Sequence, residues 1–151
     1  MTIQHLEKMR DTFLLTTSRS WRMDRLQQYL LVFLGSGLGG ASRFGVSQLV
    51  AWKLGKPVFP YATLIVNVVG SFLIALVVSL ATSTTAISPN TRLFLATGII
   101  GGFTTYSAFD FETMNLFQNG ETAVALANVG VTLVACFVAG LLGFALARAI
   151  V

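Results

Sequence analysis

Charged residues are scarce in this chain, and their scarcity excludes most soluble proteins. Lys, Arg, Asp and Glu make up 11% of the 151 residues, against 54% hydrophobic residues, and the mean hydropathy is +0.75. A soluble domain carries about 25% charged residues. Because a membrane-spanning helix needs about 20 mostly apolar residues, the chain has room for four such helices with short loops, and for no separate soluble domain. The composition predicts a small membrane protein.

Cysteine and histidine are almost absent, which removes several kinds of site. Cys136 and His5 are the single residues of their types, so neither a disulfide framework nor a cysteine–histidine metal cluster is available. The sequence offers no nucleophile–base pair and no phosphate-binding loop between a strand and a helix. The formal charge of +4 comes from basic residues that flank apolar spans, so topology explains it better than nucleic acid does. We expect neither an enzyme nor a nucleic-acid-binding protein.

The first 22 residues differ from the rest of the chain in being polar and of mixed charge. Their apolar patch at 13–15 is too short for the core of a signal peptide. Met23 stands directly before the first apolar span. We therefore predict two parts: an N-terminal extension over 1–22, which is either a disordered or amphipathic arm or a start-site artefact, and a four-helix transmembrane domain over 23–151.

Four apolar segments follow, and the third contains an interruption. We predict spans at about 29–52, 61–81, 92–117 and 122–147, with connections so short that consecutive spans run antiparallel. The run from Gly101 to Thr105 (Gly-Gly-Phe-Thr-Thr) is poor material for a continuous membrane helix. In hydrocarbon, a broken backbone survives only where protein or a water-filled path satisfies its polar groups. Such a break indicates an ion or substrate site.

Other residues of the spans have two interpretations. Asn67 lies among aliphatic residues, and Asn128 and Thr132 lie one turn apart on the fourth span. Both patterns fit hydrogen bonds between helices as well as the lining of a pore. Arg43, near the end of the first span, either faces an aqueous vestibule or extends to the membrane interface. Small residues four apart also predict close helix packing, at Gly35, Gly39, Gly98 and Gly102.

Two aromatic residues directly after the interruption favour an anion as the ion. Tyr106 and Phe109 are three apart and share a helix face, although ordinary packing would also place them there. Aromatic rings have electropositive edges. A pore for a small, strongly hydrated anion must replace water with N–H, O–H and ring-edge contacts. Glu112, one turn further on, would repel an anion unless it is paired or lies outside the constriction.

Three motifs in this order resemble the CrcB/Fluc family of fluoride channels, from about residue 24 to the C terminus. They are Gly39-Gly40-Ala41-Ser42-Arg43, Asn67-Val68-Val69-Gly70-Ser71-Phe72, and the run from Gly98 to Phe109. The resemblance implies an all-α membrane protein with four transmembrane helices, the third one broken. It also implies an antiparallel, dual-topology homodimer in the bacterial plasma (inner) membrane. The implied function is passive export of fluoride from the cytoplasm, which limits fluoride toxicity.

The resemblance implies roles for individual residues. By this resemblance, the residues that line the fluoride pore are Asn67, Tyr106, Phe109, Asn128 and Thr132. Arg43 lies in the vestibule, and Glu112 lies beyond the aromatic pair. The backbone carbonyls of Gly101 and Thr104 bind a structural sodium ion at the dimer interface. The family usually has phenylalanine at the position of Tyr106 and a small hydroxyl residue at the position of Asn128.

Charge leaves the orientation open and argues against one alternative function. Three arginines flank the spans on one side and two lysines on the other, which is compatible with insertion in both orientations. The basic residues of the extension would favour one of the two orientations.

The alternative function is that of a small four-helix proton-coupled exporter of the multidrug type. Such an exporter needs a membrane-embedded carboxylate early in the chain, and the first span has none.

Overall fold

The computed structural model is entirely helical over the residues it describes, which are 3–84 and 87–151, with side chains from Asp24 onward. This confirms the predicted all-α class. The elements in chain order are α1 (Ile3–Leu54), α2 (Tyr61–Ser83), α3 (Pro89–Arg92), the π-helical turn π1 (Leu93–Ile100), α4 (Gly101–Phe103), α5 (Tyr106–Gln118) and α6 (Thr122–Ile150).

Within the described residues, three helices are long and apolar enough to cross a membrane. They are Asp24–Leu54, Tyr61–Ser83 and Thr122–Ile150. The remaining predicted span is divided into α3, π1 and α4 on one side and α5 on the other, and we call residues 89–118 the third segment. The predicted interruption is therefore confirmed. The division of the chain at residue 22 stays a prediction.

Short connections join these helices, and two of them turn at glycines with positive φ. Gly55 has φ 70° and Gly120 has φ 80°, a backbone conformation that favours glycine. After α5, the Gly120 N–H donates to Phe117 O and the Glu121 N–H donates to Leu116 O, which closes the helix end. Asn119 and Gly120 thus form the turn between α5 and α6.

Small residues let α1 approach the third segment closely, as their spacing predicts. A Cβ atom on Gly35 would lie 2.8 Å from the Cα atom of Gly98, and one on Gly102 would lie 2.6 Å from Ser36 O. A Cβ atom on Gly39 would collide with the carbonyl oxygen of Ile99. Backbone therefore rests directly on backbone here, and the first half of the third segment is fixed against α1.

The helix leading to the interruption is wider than an α-helix. In π1 the chain forms hydrogen bonds over five residues, and the Gly101 N–H donates to Ala96 O at its end. Single π turns inside helices are frequent at functional sites. The sequence pattern did not predict this turn, because its residues are ordinary helix-compatible ones.

Candidate functional site

The third segment is broken at Thr104 and Thr105, which we call the break. Thr104 has φ −76° and ψ 157°, and Thr105 has φ −154° and ψ 112°, so both residues are extended. The preceding Gly101 is helical, with φ −62° and ψ −38°. The glycine pair, which the sequence pattern placed in the interruption, thus lies in helix α4, where Gly102 packs directly against Ser36 of α1.

Asn67 on α2 satisfies the backbone that the break exposes. Its Oδ1 atom accepts a hydrogen bond from the Thr105 N–H at 2.9 Å, and its Nδ2 atom donates to Thr105 O at 3.0 Å. The side-chain amide therefore pairs with one residue as a neighbouring strand would. Because an amide nitrogen carries two hydrogens, one N–H of Asn67 remains after this pairing.

Two further contacts fix the direction in which the chain leaves the break. The Thr105 Oγ1 atom accepts from the Ala108 N–H at 3.2 Å, which makes Thr105 the N-cap of α5. Gly70, one turn after Asn67, leaves space for the methyl group of Thr104, with which a Cβ atom would collide. The break is thus fixed on α2 by a hydrogen-bonded pair and by a close methyl contact.

A cleft of about 320 Å³ adjoins the break, and four of the five residues predicted to line a pore surround it. Asn67, Tyr106, Phe109 and Thr132 line this central cleft, together with Thr104. The ring centroids of Tyr106 and Phe109 are 5.6 Å apart, and the rings are inclined by 50°. Phe109 is 7% exposed and Tyr106 is 77% exposed, so the phenylalanine lies inside the cleft wall and the tyrosine at its rim.

The fifth residue, Asn128, lies behind the cleft wall. It is 1% exposed, and its Nδ2 atom donates to Thr113 Oγ1 at 2.8 Å. The Thr132 hydroxyl donates to Asn128 Oδ1 at 3.3 Å, and the Thr113 hydroxyl donates to Phe109 O at 2.7 Å. A continuous hydrogen-bond chain therefore joins the cleft wall to the backbone of α5. Asn128 contacts the cleft through Thr132.

A second cleft of about 310 Å³ lies on the other face of the break and contains the predicted charged residues. Arg43, Glu112, Thr63 and Thr105 are among its lining residues, and we call it the Arg43 cleft. The Thr63 hydroxyl donates to Glu112 Oε1 at 2.9 Å. Glu112 Oε2 is buried without a hydrogen-bond partner among the described residues. The guanidinium group of Arg43 and the carboxyl group of Glu112 therefore line one cavity, which reaches the break at Thr105.

The break also frees the carbonyl groups that the resemblance assigns to sodium. In a continuous helix the Thr105 N–H would donate to Gly101 O, whereas here it donates to Asn67. Among the described residues, no backbone hydrogen bond across the break ends on the carbonyl of Gly101 or Thr104. Free carbonyl oxygens at the C-terminal end of a half-helix suit a hard cation.

The comparison with known families decides the relationship. The model of the family described as "CrcB-like protein, Camphor Resistance (CrcB)" matches residues 30–144. The chain belongs to the CrcB family. The match includes the break, Asn67 and both clefts, so the geometry described above lies in the part that CrcB proteins share.

Curated relatives of this CrcB protein carry a common name, "Fluoride-specific ion channel FluC". The relative from Sorangium cellulosum is 42% identical over 126 residues, which are 83% of this chain and 98% of the relative. The relative from Anaeromyxobacter sp. strain K is 44% identical over 125 residues, 82% of this chain and 97% of the relative. A relative from Thermus thermophilus is 48% identical over 101 residues, 67% of this chain and 79% of the relative. The chain is thus a multi-pass membrane protein of an ion-channel family.

The roles that three threonines of this CrcB protein have at the site were not predicted from the sequence, although Thr105 was part of the predicted interruption. Thr63 bonds to Glu112, Thr105 caps α5, and Thr113 bonds to Asn128. The sequence could have identified Thr113, because it follows Phe109 by four residues and therefore shares its helix face. No feature of the sequence identified Thr63, because its partner Glu112 lies 49 residues away.

Proposed function

We propose that this protein is a fluoride-selective channel that exports fluoride passively from the cytoplasm of a bacterium and so limits fluoride toxicity. The observation that carries the proposal is the central cleft, which gathers hydrogen-bond donors and aromatic edges beside a broken membrane helix. Membership of the CrcB family and the names of the relatives support the same ion.

The proposed ion path uses the donors of the central cleft in place of water. The second N–H of Asn67 and the hydroxyl of Thr132 donate to fluoride, and Phe109 turns an electropositive ring edge toward it. Tyr106 adds an aromatic edge and a hydroxyl group at the rim. Because most of the cleft wall is apolar, each donor acts in a low-dielectric setting, where its interaction with an anion is stronger than in water.

The proposed vestibule is the Arg43 cleft, which meets the break at Thr105. A fixed guanidinium attracts anions toward the pore and raises their local concentration. Thr63 holds one oxygen of Glu112, which restrains the carboxyl group near the cleft wall. Glu112 is thereby kept at a defined place beyond the aromatic pair.

A second copy of the chain completes the proposed channel. Tyr106 is 77% exposed and Gly101 is exposed in the single chain, although the break lies in a segment predicted to cross the membrane. Broken backbone at that depth must be covered by protein or line a water-filled path, and it cannot face lipid. An antiparallel, dual-topology homodimer would place the two breaks against each other, and the near-balanced distribution of Lys and Arg permits both insertions.

The carbonyls of Gly101 and Thr104 would hold a sodium ion in that dimer. When bound, the ion offsets the partial negative charge of the two half-helix ends and adds positive potential near the anion path. The test is the dissociation of the purified dimer in sodium and in N-methylglucamine solutions. A dimer that is equally stable in both would remove sodium from the proposal.

Ion efflux from liposomes that contain the purified protein tests the function. Fluoride release with chloride retained supports the channel. Exchange of a cationic drug for protons supports the multidrug-type exporter. Retention of fluoride, chloride and the drug refutes both functions. The exporter is not favoured, because the described α1 has no carboxylate between Arg25 and Leu54 and the relatives are named fluoride channels.

A further inference from the structure

The hydrogen-bond chain behind Thr132 points its hydrogens away from the central cleft. The Thr132 hydroxyl donates to Asn128 Oδ1, the Asn128 Nδ2 atom donates to Thr113 Oγ1, and the Thr113 hydroxyl donates to Phe109 O. A hydroxyl group has only one hydrogen. In this arrangement Thr132 therefore presents lone pairs to the cleft, which repel an anion.

A reversed arrangement of the same three side chains satisfies the same inner groups. If the Asn128 amide rotates by half a turn, its Nδ2 atom donates to Thr132 Oγ1 and its Oδ1 atom accepts from the Thr113 hydroxyl. The two ends of an amide have nearly the same size, so the rotation needs no change in packing. The Phe109 carbonyl loses only an extra hydrogen bond, because its place in α5 already gives it the ordinary helical one.

We infer that Asn128 and Thr113 form a reversible hydrogen-bond relay that turns the Thr132 hydroxyl toward fluoride when the ion enters the cleft. Asn128 is 1% exposed and acts through Thr132, so it is a positioning residue. Thr113 is its required partner, because a hydroxyl group can accept from the amide in one arrangement and donate to it in the other. In the reversed arrangement each donor polarises the next, which strengthens the outermost bond to the anion.

The inference rests on the proposed function. Fluoride efflux from liposomes distinguishes a failure of the inference from a failure of the proposed function. Asn128→Leu keeps the branched shape and the number of side-chain heavy atoms, and it leaves the Thr113 hydroxyl on Phe109 O. Without the amide, the Thr132 hydroxyl donates to the helix carbonyl one turn earlier. We expect efflux to fall about tenfold, the loss of roughly one hydrogen bond to a charged group. Unchanged efflux in a variant as stable as the wild type would overturn the relay.

A spectroscopic signature tests the reversal itself. With ¹³C at the carbonyl of Phe109, fluoride should shift the resonance in the wild type, because the Thr113 hydroxyl leaves that carbonyl. Thr113→Val should lack this shift, and Thr113→Ser, which retains a hydroxyl, should restore it. A shift that persists in the valine variant, or one absent from the wild type, would overturn the inference. If the wild type itself releases no fluoride, the proposed function fails instead.

Discussion

Replacing Asn67 by aspartate should stop most fluoride flux, because it changes one nitrogen of the cleft into an oxygen. The Oδ1 atom can still accept from the Thr105 N–H at 2.9 Å. The other position, now an acceptor, faces Thr105 O across the 3.0 Å that the Nδ2 donor spans in the wild type. Two acceptors at that separation repel, and the Thr105 carbonyl loses its partner.

The charge of the new carboxylate dominates the predicted effect. A unit charge about 5 Å from fluoride, at an effective dielectric constant of about 20, costs about 3 kcal/mol. An unpaired carbonyl adds about 1–3 kcal/mol to the instability of the fold. We therefore expect fluoride efflux from liposomes, followed with a fluoride-selective electrode, to fall at least about 100-fold.

Asn115→Asp is the matched control, because it makes the same chemical change on α5 at an exposed position. It should leave efflux within about twofold of the wild type, as most exposed substitutions do. Both variants should elute as the wild-type assembly in gel filtration. If Asn67→Asp elutes normally and releases fluoride at the wild-type rate, the cleft beside the break is not the ion path.

Three other substitutions test neighbouring parts of the account. Phe109→Ile should lower fluoride efflux about tenfold or more by removing the ring edge, whereas Phe111→Ile, at a 68% exposed position, should not; equal rates for the two would remove Phe109 from the pore. Gly39→Ala places a methyl group against backbone of the third segment and should cost about 1–3 kcal/mol in a detergent unfolding experiment. Gly40→Ala, which meets nothing within 4 Å, should not destabilise, and equal melting of the two would refute the close packing. Gly70→Ala should displace the break and slow efflux without loss of folded protein, so an unaffected rate would show that the methyl contact has no functional role.

The interruption itself was predictable, because glycine and threonine within an apolar run disfavour a continuous membrane helix. The mechanism of the interruption was not. Flexibility and close approach both select glycine, and a sequence does not distinguish them. The structure assigns Gly102 to contact with Ser36 and places the extended residues at Thr104 and Thr105.

The pairing of polar residues was the least predictable part of the site. Asn67 was recognisable as a costly polar residue, but its partner Thr105 lies 38 residues away. Both of its predicted roles are compatible with the structure, because the amide bonds to the break and also lines the cleft. Asn128 and Thr132 were identified by their spacing, whereas the third member of their chain, Thr113, is on another helix.

The contact between fluoride and Asn67 tests the central claim most directly. Solid-state NMR of the protein in lipid bilayers, with ¹⁵N in its asparagine side chains, measures magnetisation transfer from ¹⁹F-fluoride. The signal of Asn67 is assigned by its loss in Asn67→Asp. The account predicts transfer to the side-chain nitrogen of Asn67 and to the ring protons of Phe109. Transfer that reaches water and lipid but neither of these side chains would contradict it.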